Sequence, residues 1–180
     1  MAPHNFPRRQ RQPMTISIIN NKGNPTMVKT IAMALLLPGA IFLAGCATEQ
    51  KHTDQAYPTQ AYQILNQQLQ SELETDQARI EREQNRLKIT LPNDLLFPED
   101  GYRLNRRGEQ TLDKMVPALR RLRDGSVLVE GYTDNEPLGP RLKDRFPSNV
   151  ELSATLATEV VRHLAAKGVP PRILVAEGLG

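Results

Sequence analysis

The densest group of chemically useful side chains in this 180-residue chain lies between Val127 and Leu164. The run Val127-Leu128-Val129 reads as a strand that Gly131 closes, and Asp134 follows it, so a strand end delivers a carboxylate. Ser148 and Glu151 have the spacing of a capping box that starts a helix, and Lys167-Gly168 has the pattern that ends one. The free N–H groups of a helix start favour anions. A carboxylate presented towards such a start suits a zwitterionic ligand, with Asp134 taking an amine and the helix end taking a carboxylate. The same spacing also describes an aspartate that only caps its own turn.

Other chemistries fit less well. Glycan hydrolysis needs two carboxylates at a fixed separation. Asp134, Glu136 and Asp144 share one proline-punctuated loop that fixes none, so no catalytic residue is assigned and no enzyme is expected. His4, His52 and His163 fall in three separate segments without metal-ligand spacing, and neither a metal nor any other cofactor is expected.

The motif Gly131-Tyr132-Thr133-Asp134 after a valine-rich strand, followed by Ser148-Asn149-x-Glu151-Leu152-Ser153, resembles the OmpA-like peptidoglycan-binding domain. The resemblance runs from about residue 87 to residue 180. The insert at 137–147 is similar to the version found in flagellar stator B proteins. The resemblance implies a ligand site made of Thr133, Asp134, Asn149 and Leu152, with Asp134 holding the amine of a diaminopimelate residue in a peptidoglycan stem peptide. In that family an arginine three residues after the Leu-Ser serine holds the ligand's carboxylate, and here that position is Leu156. Loss of a charge-assisted hydrogen bond worth ~1.5–3 kcal/mol weakens binding ~10- to 100-fold. Leu156 also continues the stripe Leu152, Val160, Leu164, which gives it a packing role. Either the site is weakened, or Arg141, Arg145 or Arg162 reaches the vacant position.

The elements upstream must position this site relative to something else. Residues 1–45 carry Arg8, Arg9, Arg11, Lys22 and Lys29 and no acid. Without them the formal charge of +3 becomes 18 basic against 20 acidic residues, which removes the case for nucleic acid. Lys29, the apolar run 31–43 and Ala44-Gly45 before Cys46 form a signal-peptide pattern with Met27 as the expected start. The apolar run is too short for the ~20 residues that span a bilayer. Leu43-Ala44-Gly45-Cys46 resembles the bacterial lipobox, which implies lipidation of Cys46. Ala47 rather than aspartate at the next position implies export to the outer membrane. Residues 1–26 read as an extended n-region or as sequence upstream of the true start codon, and no part in the fold is expected of them.

Residues 46–60 then read as a lipidated tether. Residues 61–86, rich in Gln, Glu, Arg and Leu without Gly or Pro, read as a helix ~40 Å long at ~1.5 Å per residue. An acidic companion seam (Asp76, Glu83) leaves two options, a solvated spacer or a weakly self-associating helix. Residues 87–91 alternate as a strand. Asn105 is a plausible N-cap for a helix bearing Leu112, Met115, Leu119 and, inside it, Pro117; Arg120, Arg121 and Arg123 take its wet side. A third strand begins near Ile173.

Strand, helix, strand, helix, strand implies a two-layer α/β sandwich with the helices on one face, a βαβαβ domain over 87–180 behind a long helix and a signal and tether segment. Family members continue with a further helix and a closing strand, so the chain is expected to be a piece of a longer protein. The expected function is an outer-membrane lipoprotein that holds diaminopimelate-type peptidoglycan. The alternative is a scaffold or stator-like part of an envelope machine that binds a protein partner.

Overall fold

In a computed structural model, residues 13–19, 56–83, 86–123, 125–134 and 136–180 are described. Cys46, His4, His52 and the apolar run 31–43 lie outside them. Among the described residues no helix is long and apolar enough to cross a membrane.

The architecture is the expected mixed α/β sandwich, but among the described residues its sheet has five strands. They are β1 (Met14–Ile19), β2 (Arg79–Arg82), β3 (Arg86–Leu91), β4 (Ser126–Gly131) and β5 (Leu174–Gly178), in the order β2-β3-β1-β4-β5. The β4–β5 pair is parallel and the other three are antiparallel. α4 (Arg106–Leu119) and α6 (Asn149–Ala166) supply the main helical layer. Leu87, Ile89, Val127 and Val129 from the sheet, Leu112, Met115 and Leu119 from α4, and Leu156, Val160 and Leu164 from α6 are buried together between the layers.

β1 corrects the expectation that residues 1–26 stand outside the fold. Met14, Ile16 and Ile18 pack on the helical side, while Thr15 and Ser17 lie on the opposite face, also buried. Met-Thr-Ile-Ser-Ile is a period-two pattern of β-forming residues. Its position upstream of a signal-like run hid that local evidence.

The region 61–86 is a second correction. It is neither one helix nor solvated. α1 (Ala56–Gln68) and the short α2 (Gln70–Glu74) pack on α4 through Ala61, Leu65 and Leu69, which recur every four residues on one face. Asp76 takes a left-handed conformation (φ 54°), and Gln77 N–H donates to the Glu72 carbonyl at 2.7 Å, a Schellman closure that ends the helix. The chain then turns into the β2–β3 hairpin. Ile80 alternates inward there among exposed charged residues, a strand signal outweighed in the sequence by helix-forming Glu and Arg.

Two ion-pair clusters tie the helices together. Asp113 of α4 accepts from His163 (2.8 Å) and Lys167 (2.6 Å) at the end of α6. Burial pushes the Asp113 carboxyl up, but these two hydrogen bonds outweigh it and hold it below the usual range. Glu72 of α2 pairs with Lys114 of α4 at 2.6 Å and accepts from Ser71. There too burial raises the pKa and the hydrogen bonds lower it further, so the net shift is downward.

Candidate functional site

β3, β4 and β5 deliver their C-terminal ends to one rim of the sheet. β3 exits through Pro92 into a single helical turn, α3 (Asn93–Leu96). β4 exits through Tyr132, Thr133 and Asp134. The Asn93 side-chain amide donates to the Tyr132 carbonyl at 3.0 Å, which holds the two exits together.

Gly131 is needed for this approach. A Cβ there would lie 2.2 Å from the Ser153 carbonyl oxygen, and one on Gly178 would lie 2.3 Å from the Ala154 nitrogen. Both glycines let the start of α6 sit directly on the strand ends. The Asn149 side-chain amide then donates to the Asp134 carbonyl (2.9 Å) and the Glu136 carbonyl (3.0 Å), fixing the loop to the helix. Its side-chain oxygen is buried and has no partner among the described residues. Thr133 is buried, and its hydroxyl donates to the Asp134 carbonyl at 3.1 Å.

Ser148 caps the helix as the spacing predicts. Ser148 Oγ accepts from Val150 N–H at 3.1 Å and donates to the Glu151 carboxylate. That hydrogen bond holds the Glu151 carboxyl below its usual range. The helix start therefore already carries an internal anion.

A cavity of about 690 Å³ opens on this rim. Asp134, Asp94, Glu99 and Asp100 line it, together with Thr133, Asn149 and Leu152. No Lys, Arg or His is among the lining residues, so its field favours a cation, such as an amine. Its walls are apolar: Pro92, Phe97 and Pro98 on one side, Leu138 and Leu142 on the other.

Thus Thr133, Asp134, Asn149 and Leu152 are brought to one cavity, and Leu156 is not. Leu156 is fully buried in the core, one helical turn below Leu152. Nor does any of the three candidate arginines line the cavity. Arg145 stacks over Tyr102 at 4.9 Å, Arg162 pairs with Glu159 at 3.0 Å, and Arg141 is exposed on α5 (Pro140–Lys143). Asp94, Glu99 and Asp100 are the contributors that sequence reasoning missed. They precede the motif by more than thirty residues and meet it only because β3 and β4 end on the same rim. The insert 137–147 is not a loose loop: Leu142 and Phe146 are buried, and Phe146 meets Tyr102 edge-on at 5.4 Å. Among the described residues no group of three or more potential metal ligands occurs.

Residues 96–180 match the OmpA family model. Outer membrane protein A of Serratia odorifera is 40% identical over 94 residues, covering 51% of this chain and 36% of that protein. The Serratia marcescens protein is 37% identical over 95 residues, 52% of this chain and 24% of its own length. The chain therefore spans between about a quarter and a third of these relatives. Among solved structures, the cell wall anchor of the type VI secretion system of Pseudomonas aeruginosa is 30% identical with a TM-score of 0.57, covering 64% of this chain and 78% of that one. A MotB-like protein of Desulfovibrio vulgaris, at 22% identity and TM-score 0.60, covers 68% and 77% and shares the fold. The Gly-Tyr-Thr-Asp turn and the helix that follows fall inside the matched region, whereas Pro13, Pro92, Asn93 and Asp94 of the cavity precede it, and residues 96–180 form an OmpA family domain.

Proposed function

We propose that the chain is a non-enzymatic cell-wall-binding module that anchors an envelope component to peptidoglycan. The carrying observation is the rim cavity, lined by four carboxylates and no base, with Asp134 fixed at the start of α6. Asp134 takes the amine of a diaminopimelate residue in a stem peptide, and Thr133 and Asn149 hold the turn that presents it. The likeness to the Pseudomonas cell wall anchor supports the same reading. Cys46, lipidated, would tie the chain to the outer membrane with the domain facing the periplasm.

Sedimentation of the full chain with purified peptidoglycan tests the site. Wild type pellets, and Asp134→Asn, which removes one charge at constant shape, binds ~10- to 100-fold more weakly. A wild type that stays in solution, or an Asp134→Asn variant that binds equally well, sinks the proposal.

A second reading, a scaffold or stator-like component that binds a protein partner, draws on the burial of Leu156 and the packed insert with α5. A wild type that ignores peptidoglycan but is retained by an envelope protein would favour it.

A further inference from the structure

The central strand of the sheet comes from the one part of the chain that sequence alone assigns to a removable leader. β1 pairs with β3 from Met14↔Leu91 to Ile19↔Arg86 and with β4 from Thr15↔Glu130 to Ile19↔Ser126. β3 and β4 do not pair with each other; each has only an edge strand on its other side. Taking β1 out divides the sheet into two ribbons, β2-β3 and β4-β5. It would leave two facing rows of bare N–H and C=O groups and uncover the buried faces of Ile89 and Val129. Such a gap is a template for another strand.

The same chain carries Leu43-Ala44-Gly45-Cys46 between β1 and α1. A cut before Cys46 severs β1 from the domain, as does a start at Met27. A lipid-anchored chain beginning at Cys46 and a covalently attached central strand therefore exclude one another.

We propose that the gap between β3 and β4 is a strand-accepting site, and that its occupant is the leader segment 14–19, held by pairing and burial alone. A chain cut between β1 and α1 then keeps this strand as a bound fragment, and accepts the same segment from a second, uncut copy. The required chemistry is legible in the occupant. Three apolar side chains at alternate positions face the helices, and two small hydroxyl residues lie between them on the other face. Ser17 Oγ there donates to Glu130 at 3.3 Å. Thr15 and Ser17 are themselves buried beneath their neighbours on that face. The long connection between residues 19 and 56 places no short tether on the strand, so the segment can leave the gap and enter it again without moving the rest of the domain. Leader removal thus converts a self-complemented sheet into one that must be completed in trans. The cut at Cys46 rests on the lipoprotein reading above; the accepting site rests on the sheet alone.

The test uses the full chain with a single protease site inserted between residues 20 and 45, and needs neither peptidoglycan nor lipid, so its outcome is independent of the anchoring proposal. After cutting, the N-terminal fragment should co-elute with the domain. Excess labelled peptide spanning residues 12–20 should replace it at one per domain, preserving amide protection in β3 and β4. The peptide carrying Ile16→Asp should bind at least ~100-fold more weakly, because it buries an unpaired carboxylate. Release of the fragment without uptake of the peptide overturns the proposal, whether or not the domain stays folded. Equal uptake of the Ile16→Asp peptide also overturns it.

Discussion

Asp134 and Leu156 sit one strand end and two helical turns into the same motif, yet their environments are opposite. Asp134 is half-buried on the rim of an acid-lined cavity, whereas Leu156 is 0% exposed within the interlayer core. Restoring an arginine at Leu156 therefore places a cation among Val160, Val129 and their neighbours. Removing a partner from a buried ion pair costs ~3–5 kcal/mol, and an unpaired buried arginine belongs to that class. Leu156→Arg is expected to lower the urea midpoint by that order and not to raise affinity for peptidoglycan. A variant of wild-type stability that binds more tightly would show the arginine escaping to the cavity. Gly131 is equally constrained: with a Cβ only 2.2 Å from the Ser153 carbonyl, Gly131→Ala must push α6 off the strand end. Overpacking of this kind costs ~1–3 kcal/mol, read as a fall in thermal midpoint, and it displaces Asn149 from the Asp134 loop.

At the scale of elements, the helix α1 separates a packed domain from a tethered one. Leu65 is 0% exposed and faces α4. Leu65→Ala is expected to cost ~2–5 kcal/mol by urea denaturation, whereas a leucine on a solvated spacer would cost almost nothing. The helix clamps carry a pH signature. Asp113 and Glu72 both have folded-state pKa values depressed below their unfolded values of about 3.8 and 4.5. The unfolded chain therefore binds more protons in the window below those values, and stability rises with pH through it. Their contribution is fully present above pH ~5 and is lost as pH falls through the folded values. Urea midpoints should be flat from pH 7 to 5 and then drop, and Glu72→Gln should make that drop shallower. Asp113 is 40% exposed at its side chain, so solvent screening keeps its share to a fraction of a kcal/mol.

For the whole molecule, the decisive fact is that a sheet of five strands is closed by a segment far from the domain in sequence. Ile16→Ala in the full chain is expected to destabilise the entire fold by ~2–5 kcal/mol in a single transition, as for any core residue. A leader residue would leave the midpoint unchanged. The sequence by itself determined the local devices: the strand over 127–131, the Asn105 and Ser148 caps, the α6 stripe, the alternating strand at 87–91 and the Asp134 turn. Each depends on contacts within a few residues, and so is written in spacing and residue type. Only the tertiary structure decided which strand lies beside which, because pairing partners such as Ile16 and Val129 are chosen by burial across the sheet rather than by neighbours in the chain. It decided that α1 packs instead of standing in solvent, since one face of Ala61, Leu65 and Leu69 finds α4 to cover it. It also assembled the cavity's charge, because Asp94, Glu99 and Asp100 meet Asp134 only where two strands end on a common rim.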